Sequence, residues 1–401
     1  MANHTIVLTG GGSGGHITPL LAVAAKLKRL QAGVHIVYIG HTGDSLSDIP
    51  AKHPSIDEVF TVRAGKLRRY HGEGFKQLLD ILTMLKNIRD VFYLLIGIFQ
   101  SRRLLKKLQP DVVFIKGGFV GVPVGLAAGN LGIPYVTHDS DAIPGLANRI
   151  ISKKAARHAV ALPAEVYTYP RDKTVSTGIP LQADFVPVTD SLQKKYRQEL
   201  NITGSGKFIF VIGGGLGSER VNKAVAQAVP HLLAEFKDLR VVHATGRSKD
   251  DEVSARYAQL STQEQGRVEV KTYVDDVYRY SGAADIIITR AGATNLAEFA
   301  AQGKACIIIP SPFLTGGHQL KNAKYLEDQH AAMIINEADL TDDPNRLARQ
   351  VSDLLNDPTQ RRELGKQLSA FAKPNATNDL AKLVLAQIKT SKINTNHESA
   401  S

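Results

Sequence analysis

A single cysteine, Cys306, stands among 401 residues, so no internal disulfide can form and a reducing cytoplasm is the expected setting. Tryptophan is absent and aromatic residues make up only 6%. With few aromatics among its basic residues and no recognition motif, the chain does not read as a nucleic-acid binder. No apolar run reaches the roughly 20 residues of a bilayer-spanning helix. Residues 1–5 carry no charged segment ahead of an apolar one, so no secretory signal is expected. Negative charge is the sign in short supply: 38 Asp and Glu against 49 Lys and Arg leave a net +11. That excess implies an anionic partner, either nucleic acid, an acidic membrane surface or a phosphorylated substrate.

What is present is organised around Thr9-Gly10-Gly11-Gly12-Ser13-Gly14-Gly15-His16. The turn follows the β-branched run Ile6-Val7-Leu8 and precedes an apolar-periodic stretch, with Thr18 as expected N-cap and Pro19 as first helical residue. A glycine-rich turn from strand to helix offers bare N–H groups to a phosphate or pyrophosphate. His16 would face whatever the turn holds. The dinucleotide fingerprint is incomplete, because Gly40-His41-Thr42-Gly43 follows the second strand where an acid belongs.

Strands are expected at 4–8, 35–39, 111–115, 135–137, 159–162 and 174–177, with helices between them at 20–30, 75–108, 122–131 and 146–154. After Gly178-Ile179-Pro180 the pattern restarts: a strand at 208–212, the turn Gly213-Gly214-Gly215-Leu216-Gly217-Ser218, and a helix over 222–233. Further strands fall at 239–244, 268–271, 286–289, 306–309 and 333–335. At 401 residues two domains are the better expectation. The alternation predicts an α/β chain of two Rossmann-like, doubly wound parallel-sheet domains facing a central cleft. The expected bounds are 1–180 for an N-terminal domain and 181–373 for a C-terminal one. A helix over 374–390 would pack back on the N-terminal domain, and a polar tail at 391–401 would be disordered.

Within 81–108 the unbroken apolar run 91–99 leads into Arg102, Arg103, Lys106 and Lys107, and Arg63, Lys66, Arg68 and Arg69 lie upstream. An apolar patch rimmed by Lys and Arg suits docking on an anionic membrane surface. The competing reading is a buried crossover helix whose charges solvate its ends.

In the second half, Thr289-Arg290-Ala291-Gly292-Ala293-Thr294-Asn295-Leu296-Ala297-Glu298 repeats the motif of strand, small-residue turn and helix, offering a second diphosphate site. Glu298, one turn in, either stabilises the helix or accepts two sugar hydroxyls. His318 and Gln319 open a further helix at the same strand ends. Three glycine-rich turns and a carboxylate suit a nucleotide-diphosphate sugar.

Taken in order from about Ile6 to Leu385, these segments resemble the MurG family of GT-B glycosyltransferases, family 28. The resemblance is carried by Gly11 to Pro19, Lys107-Leu108-Gln109-Pro110-Asp111-Val112-Val113, Gly117-Gly118-Phe119-Val120-Gly121-Val122-Pro123, Leu131-Gly132-Ile133-Pro134 and Gly178-Ile179-Pro180. The turn at 213–217, Arg290-Ala291-Gly292-Ala293-Thr294 with Glu298, and the stretch from Gln319 to Ala323 complete it. The resemblance implies an inverting transfer of GlcNAc from UDP-GlcNAc to lipid I, the undecaprenyl-pyrophosphoryl-MurNAc-pentapeptide, forming lipid II for bacterial peptidoglycan. It implies a peripheral position on the cytoplasmic face of the inner membrane, and cell-wall synthesis or division proteins as candidate partners.

The resemblance also assigns roles. His16 would be the general base, against a bland reading in which it caps the turn. The donor UDP-GlcNAc would be held by Ser13, Gly14, Gly15, Asp141, Gln182, Gly215, Val274, Ala293, Thr294, Asn295, Leu296, Ala297, Glu298, His318 and Gln319. Among these, Glu298 would hold the ribose and Val274 the uracil. The acceptor would be held by Gly12, Ser13, Gly117, Gly118, His138 and Asp139. No metal and no cofactor are implied, since helix N-termini take over charge neutralisation.

Three segments depart from the family. Its His-Glu-Gln-Asn stretch is His138-Asp139-Ser140-Asp141, its Asn-Pro-x-Arg is Ile179-Pro180-Leu181-Gln182, and the serine of the third glycine loop is Gly215. Asp139-x-Asp141 superficially matches the metal-binding pair of another glycosyltransferase fold. The departures keep three rivals open: a lipid glycosyltransferase acting on diacylglycerol, a sugar-nucleotide epimerase, and a non-catalytic UDP-sugar-binding or membrane-scaffold protein.

Overall fold

The structure, a computed structural model, describes residues 4–44, 46–66, 81–202, 206–215, 217–246, 251–313 and 317–398. Arg68, Arg69 and Leu216 lie outside the described residues. The chain divides into two compact units, Met1–Gln182 with Lys373–Ser401, and Ala183–Ala372.

The first unit runs β1 (Thr5–Thr9), α1 (Gly14–Leu30), β2 (His35–His41), α2 (Asp48–Ala51), β3 (Glu58–Val62), α3 (Ile81–Leu108), β4 (Val112–Ile115), α4 (Gly121–Asn130), β5 (Tyr135–Asp139), α5 (Leu146–Ile151), β6 (Arg157–Val160) and β7 (Thr174–Ser176). Its seven strands form one parallel sheet in the order β3-β2-β1-β4-β5-β6-β7. Ile6 stands between Ile36 and Val112 in register. Ile6, Val7 and Leu8 are fully buried, as are Val112 to Ile115, because helices cover both faces of such a sheet and demand unbroken apolar strands.

β3 escapes the sequence reading. It is an edge strand whose Glu58 and Thr61 face solvent, so it lacks the apolar run that marks the central strands. A second difference concerns α1, which begins at Gly14 rather than at Pro19. Extending the helix back one turn buries Ile17 beside Leu21 and Leu46. Thr18 Oγ1 then donates to the Gly14 carbonyl at 3.1 Å instead of capping.

The second unit opens with α6 (Asp190–Glu199) and continues β8 (Phe208–Ile212), α7 (Glu219–Glu235), β9 (Arg240–Ala244), α8 (Asp251–Tyr257), α9 (Thr262–Gln265), β10 (Val268–Lys271), α10 (Val277–Ala283), β11 (Ile286–Thr289), α11 (Ala293–Gln302), β12 (Cys306–Ile308), α12 (His318–Asp328), β13 (Met333–Ile334), α13 (Glu337–Asp342), α14 (Arg346–Asn356) and α15 (Pro358–Ser369). Its six parallel strands are ordered β10-β9-β8-β11-β12-β13. Two apolar clusters sandwich this sheet, one beneath α7 and α14, the other beneath α10, α11 and α12.

The last helix, α16 (Ala376–Glu398), belongs to the first unit. Leu380, Ala381, Val384 and Ile388 are buried against Leu20, Val23 and Leu27 of α1. The helix is drawn to Glu398, past the expected end at 390; no proline or glycine interrupts 389–398.

α3 is neither wholly buried nor apolar all round. Leu94, Leu104 and Leu105 join the core under α4. A Cβ on Gly97 would come within 1.9 Å of the Arg63 carbonyl oxygen, so only glycine lets the chain after β3 cross the helix so closely. On the opposite side Ile88, Val91, Phe92, Leu95 and Phe99 are exposed, Phe99 by 70%. Among the described residues no helix is long and apolar enough to cross a membrane.

Candidate active site

Each sheet has one place where strand order reverses, and ligands bind outside the carboxyl ends of the strands at such a switch point. In the first unit it lies between β1 and β4, in the second between β8 and β11. The glycine-rich turns singled out from the sequence are the segments that leave these four strands.

At the first switch point, Gly12 has φ +78°. Its N–H donates to Asp44 Oδ2 at 2.9 Å, which fixes the turn from the side of β2. Ser13 holds the N-cap position of α1 in extended geometry without capping through its side chain. Its Oγ lies instead 2.9 Å from His16 Nδ1. If Nδ1–H donates to Ser13, Nε2 is left with the lone pair that a general base needs. A Cβ built on Gly14 would meet nothing within 4 Å, whereas one on Gly118 would come 2.9 Å from the Gly11 carbonyl and 3.3 Å from His16 Nδ1. Gly118 (φ +75°) is thus required by the fold, while Gly14 leaves room in front of a helix N-terminus.

The other first-unit residues are deeper. His138 is buried and its Nε2–H donates to the Gly178 carbonyl at 2.8 Å; burial holds its pKa well below the usual histidine value, so it is neutral. Asp139 Oδ1 accepts from Gly145 N–H at 2.9 Å and Oδ2 from the Tyr169 hydroxyl at 2.8 Å. Burial raises its pKa. Both oxygens serve protein groups, and among the described residues no cluster of His, Cys, Asp and Glu could hold a metal ion. Asp141 is half-buried in the loop after β5, its carbonyl accepting from the Tyr167 hydroxyl at 2.9 Å. Gln182 ends the unit, beside Leu181, whose N–H donates to Thr377 Oγ1 at 2.9 Å.

Lys116, which sequence reasoning passed over, follows the last residue of β4 and stands immediately before Gly117-Gly118. It is only 2% exposed and its Nζ donates to Ser140 Oγ at 2.6 Å. Burial lowers its pKa to about 8, opposed by the carboxylates of Asp141 and Asp139. The available signal was a lysine directly at the end of an apolar strand, which needs a partner if it is buried.

At the second switch point Gly292 caps α11, and no side chain caps the helix. Ala293, Thr294 and Asn295 therefore present first-turn N–H groups outward, while Leu296 N–H already bonds the Gly292 carbonyl at 3.0 Å. Cβ atoms built on Gly215 or Gly292 would again meet nothing within 4 Å. Ala297 and Glu298 follow on this helix, Glu298 partly buried by area yet with its carboxyl surrounded by protein. Desolvation alone pushes that carboxyl up to about 8. Val274 is buried in the segment between β10 and α10. His318 begins α12, and Gln319 is buried with Oε1 accepting from Ser311 N–H at 2.9 Å.

A polar network absent from the sequence reading holds these turns together. Arg290 Nε donates to Ser218 Oγ at 2.8 Å and its NH1 to the Ile309 carbonyl at 3.2 Å, and it pairs with buried Glu337. Arg220 reaches the same carboxylate at 2.7 Å. Asn322 Nδ2 donates to the Ala291 carbonyl at 3.1 Å. The segments after β8, β11, β12 and β13 are thereby pinned to one another around α11. Of the residues assigned by resemblance, Gly12 to His16, Gly117, Gly118, His138, Asp139, Asp141 and Gln182 lie in the first unit; Gly215, Val274, Ala293 to Glu298, His318 and Gln319 lie in the second.

Two Rossmann-like units, each built on a parallel sheet with a small-residue turn leading into a helix at its switch point, and one with a carboxyl a turn further on, define a glycosyltransferase of the GT-B class. The chain belongs to glycosyltransferase family 28: the family's N-terminal domain matches residues 6–160 and its C-terminal domain residues 208–382. It is 36% identical over 344 residues to the UDP-N-acetylglucosamine--N-acetylmuramyl-(pentapeptide) pyrophosphoryl-undecaprenol N-acetylglucosamine transferase of Lachnospira eligens, covering 84% of this chain and 88% of the relative. The enzyme of the same description from Geobacter sp. is 32% identical, covering 92% and 93%. Among solved structures, MurG of Acinetobacter baumannii superposes with a TM-score of 0.67 at 26% identity, covering 96% of this chain and 99% of that one.

Proposed function

We propose that the chain transfers GlcNAc from UDP-GlcNAc to lipid I, the MurNAc-pentapeptide carried on undecaprenyl diphosphate, with inversion at the anomeric carbon. The observation that carries this reading is the pairing of chemistry with helix N-termini at the two switch points: His16 with Gly14-Gly15, and Glu298 with Ala293 to Asn295. Its Ser13-oriented imidazole suits His16 for removing the proton of the attacking acceptor hydroxyl. The first-turn N–H groups of α11 stabilise the charge that develops on the departing UDP. Glu298, with only desolvation acting on its carboxyl, accepts the ribose hydroxyls. Gly117 and Gly118 shape the acceptor side, and His138 and Asp139 support it from within. The exposed apolar stripe of α3, continued by exposed Arg102, Arg103, Lys106 and Lys107, seats the protein on the anionic membrane that holds the lipid acceptor.

The test is turnover of UDP-GlcNAc with a short-chain lipid I analogue, in EDTA and in Mg²⁺. Transfer in EDTA supports the reading and removes Asp139 and Asp141 as metal ligands. Binding of UDP-GlcNAc without transfer refutes lipid I as acceptor.

A further inference from the structure

One side chain at the first switch point is used neither by the resemblance nor by the proposed mechanism. Lys116 leaves β4 at the first switch point, where a Cβ on Gly10 would lie 3.4 Å from the lysine Cβ. Its side chain runs under the glycine turns to the loop after β5 and ends on Ser140. Beside Ser140 in this loop, Asp141 supplies one carboxylate. Asp139 supplies a second carboxylate, already engaged by Gly145 and Tyr169. A fully buried ammonium with one neutral hydrogen-bond partner persists only where carboxylates compensate it. Both Asp141 and Asp139 act on Lys116 in that sense. Burial, with the lysine charge acting in the same direction, keeps His138 neutral beside the same strand ends.

The consequence concerns the acceptor. Resting on the proposed function, the subsite in front of Gly14 takes a diphosphate, and a carboxylate added nearby repels it. We propose that Lys116 is a positioning residue that sets the charge of this subsite: its ammonium, fixed by Ser140 beneath the glycine turns, balances Asp141 so that an anionic diphosphate is accepted. Lys116 and Asp141 then form a unit, and changing one without the other is worse than changing both.

The test is a double-mutant cycle on the full chain with Lys116→Met, Asp141→Asn and the pair, the pair replacing two charges by neutral groups. The probe is farnesyl diphosphate, titrated with UDP at saturation so that the second unit's diphosphate site is occupied. Lys116→Met should weaken farnesyl diphosphate by about tenfold, and the double variant should recover to within about threefold of the parent. A purely structural lysine would shift the melting temperature and leave the ratio of affinities additive. Additive effects, unchanged affinity in Lys116→Met, or no binding of the probe to the parent would each overturn the proposal. Turnover of the parent with the lipid I analogue is measured alongside. Transfer with an additive cycle sinks the inference and leaves the function standing; a coupled cycle without transfer does the reverse.

Discussion

With the ribose placed on Glu298 as proposed, replacing that residue by glutamine removes a titrating group whose ionisation is coupled to nucleoside binding. Burial holds the empty carboxyl at about 8, so at pH 7 it is only about one-tenth ionised. Two ribose hydroxyls donate best to the ionised form, at roughly 1.5–3 kcal/mol for a hydrogen bond to a charged group. The bound carboxyl therefore titrates lower than the free one. With the bound pKa below the free pKa, binding releases a proton, and affinity rises with pH until the free carboxyl is itself ionised near 8. From pH 6.5 to 8.5 the ionised fraction, and with it the association constant, should grow about twentyfold. Uridine is the ligand of choice because a terminal phosphate titrates near the window's lower edge. Calorimetry at pH 7 in buffers of different ionisation enthalpy should also report release of close to one proton. The Glu298→Gln variant should bind about as well as the parent at pH 6.5, show no slope, and be roughly ten- to thirtyfold weaker at pH 8.5. A flat profile in the parent, or a slope that survives in the variant, would refute the placement of the ribose on Glu298.

Other perturbations separate fold from function. His16→Ala should lower turnover by about 10²–10⁴-fold with UDP affinity unchanged, as loss of a general base does; intact turnover would remove His16 from the chemistry. Gly14→Ala adds a methyl group where nothing lies within 4 Å, so the melting temperature should hold or rise while the KM for the lipid acceptor climbs. Gly217→Ala is the counterpart: φ is +70° and the added Cβ would meet the Thr245 carbonyl at 1.9 Å, so that variant should lose stability by several kcal/mol or fail to fold. A Gly14→Ala enzyme with unaltered acceptor kinetics would show that the space in front of α1 is not used. Phe92→Ser with Phe99→Ser removes two exposed side chains, each contributing roughly 1.5–3 kcal/mol when buried. Sedimentation with anionic vesicles should show partitioning reduced by about a hundredfold or more, and unchanged partitioning would rule out α3 as the docking surface.

Why some of this was legible in the sequence follows from what each signal depends on. The central strands, such as 208–212, are buried on both faces, so each must be a continuous apolar run that needs no knowledge of its neighbours. The glycine turns at 10–15 and 290–292 sit at switch points, where the same short segment must turn sharply and open a helix, and composition alone reports both demands. β3 was illegible for the complementary reason: as an edge strand it leaves Glu58 and Thr61 exposed, one on each face, and these dilute its pattern. The start of α1 was misplaced because proline at N1 is the commoner arrangement, whereas here the burial of Ile17 draws the helix back a turn. Arg290 and Glu337 stand 47 positions apart and Lys116 and Ser140 24 apart, and no local rule joins them; only the strand order brings their ends together. The residues hardest to read are thus charged groups buried at strand ends. A lysine closing an apolar strand should accordingly be read as half of a pair, its other half sought in the loop that leaves the adjacent strand.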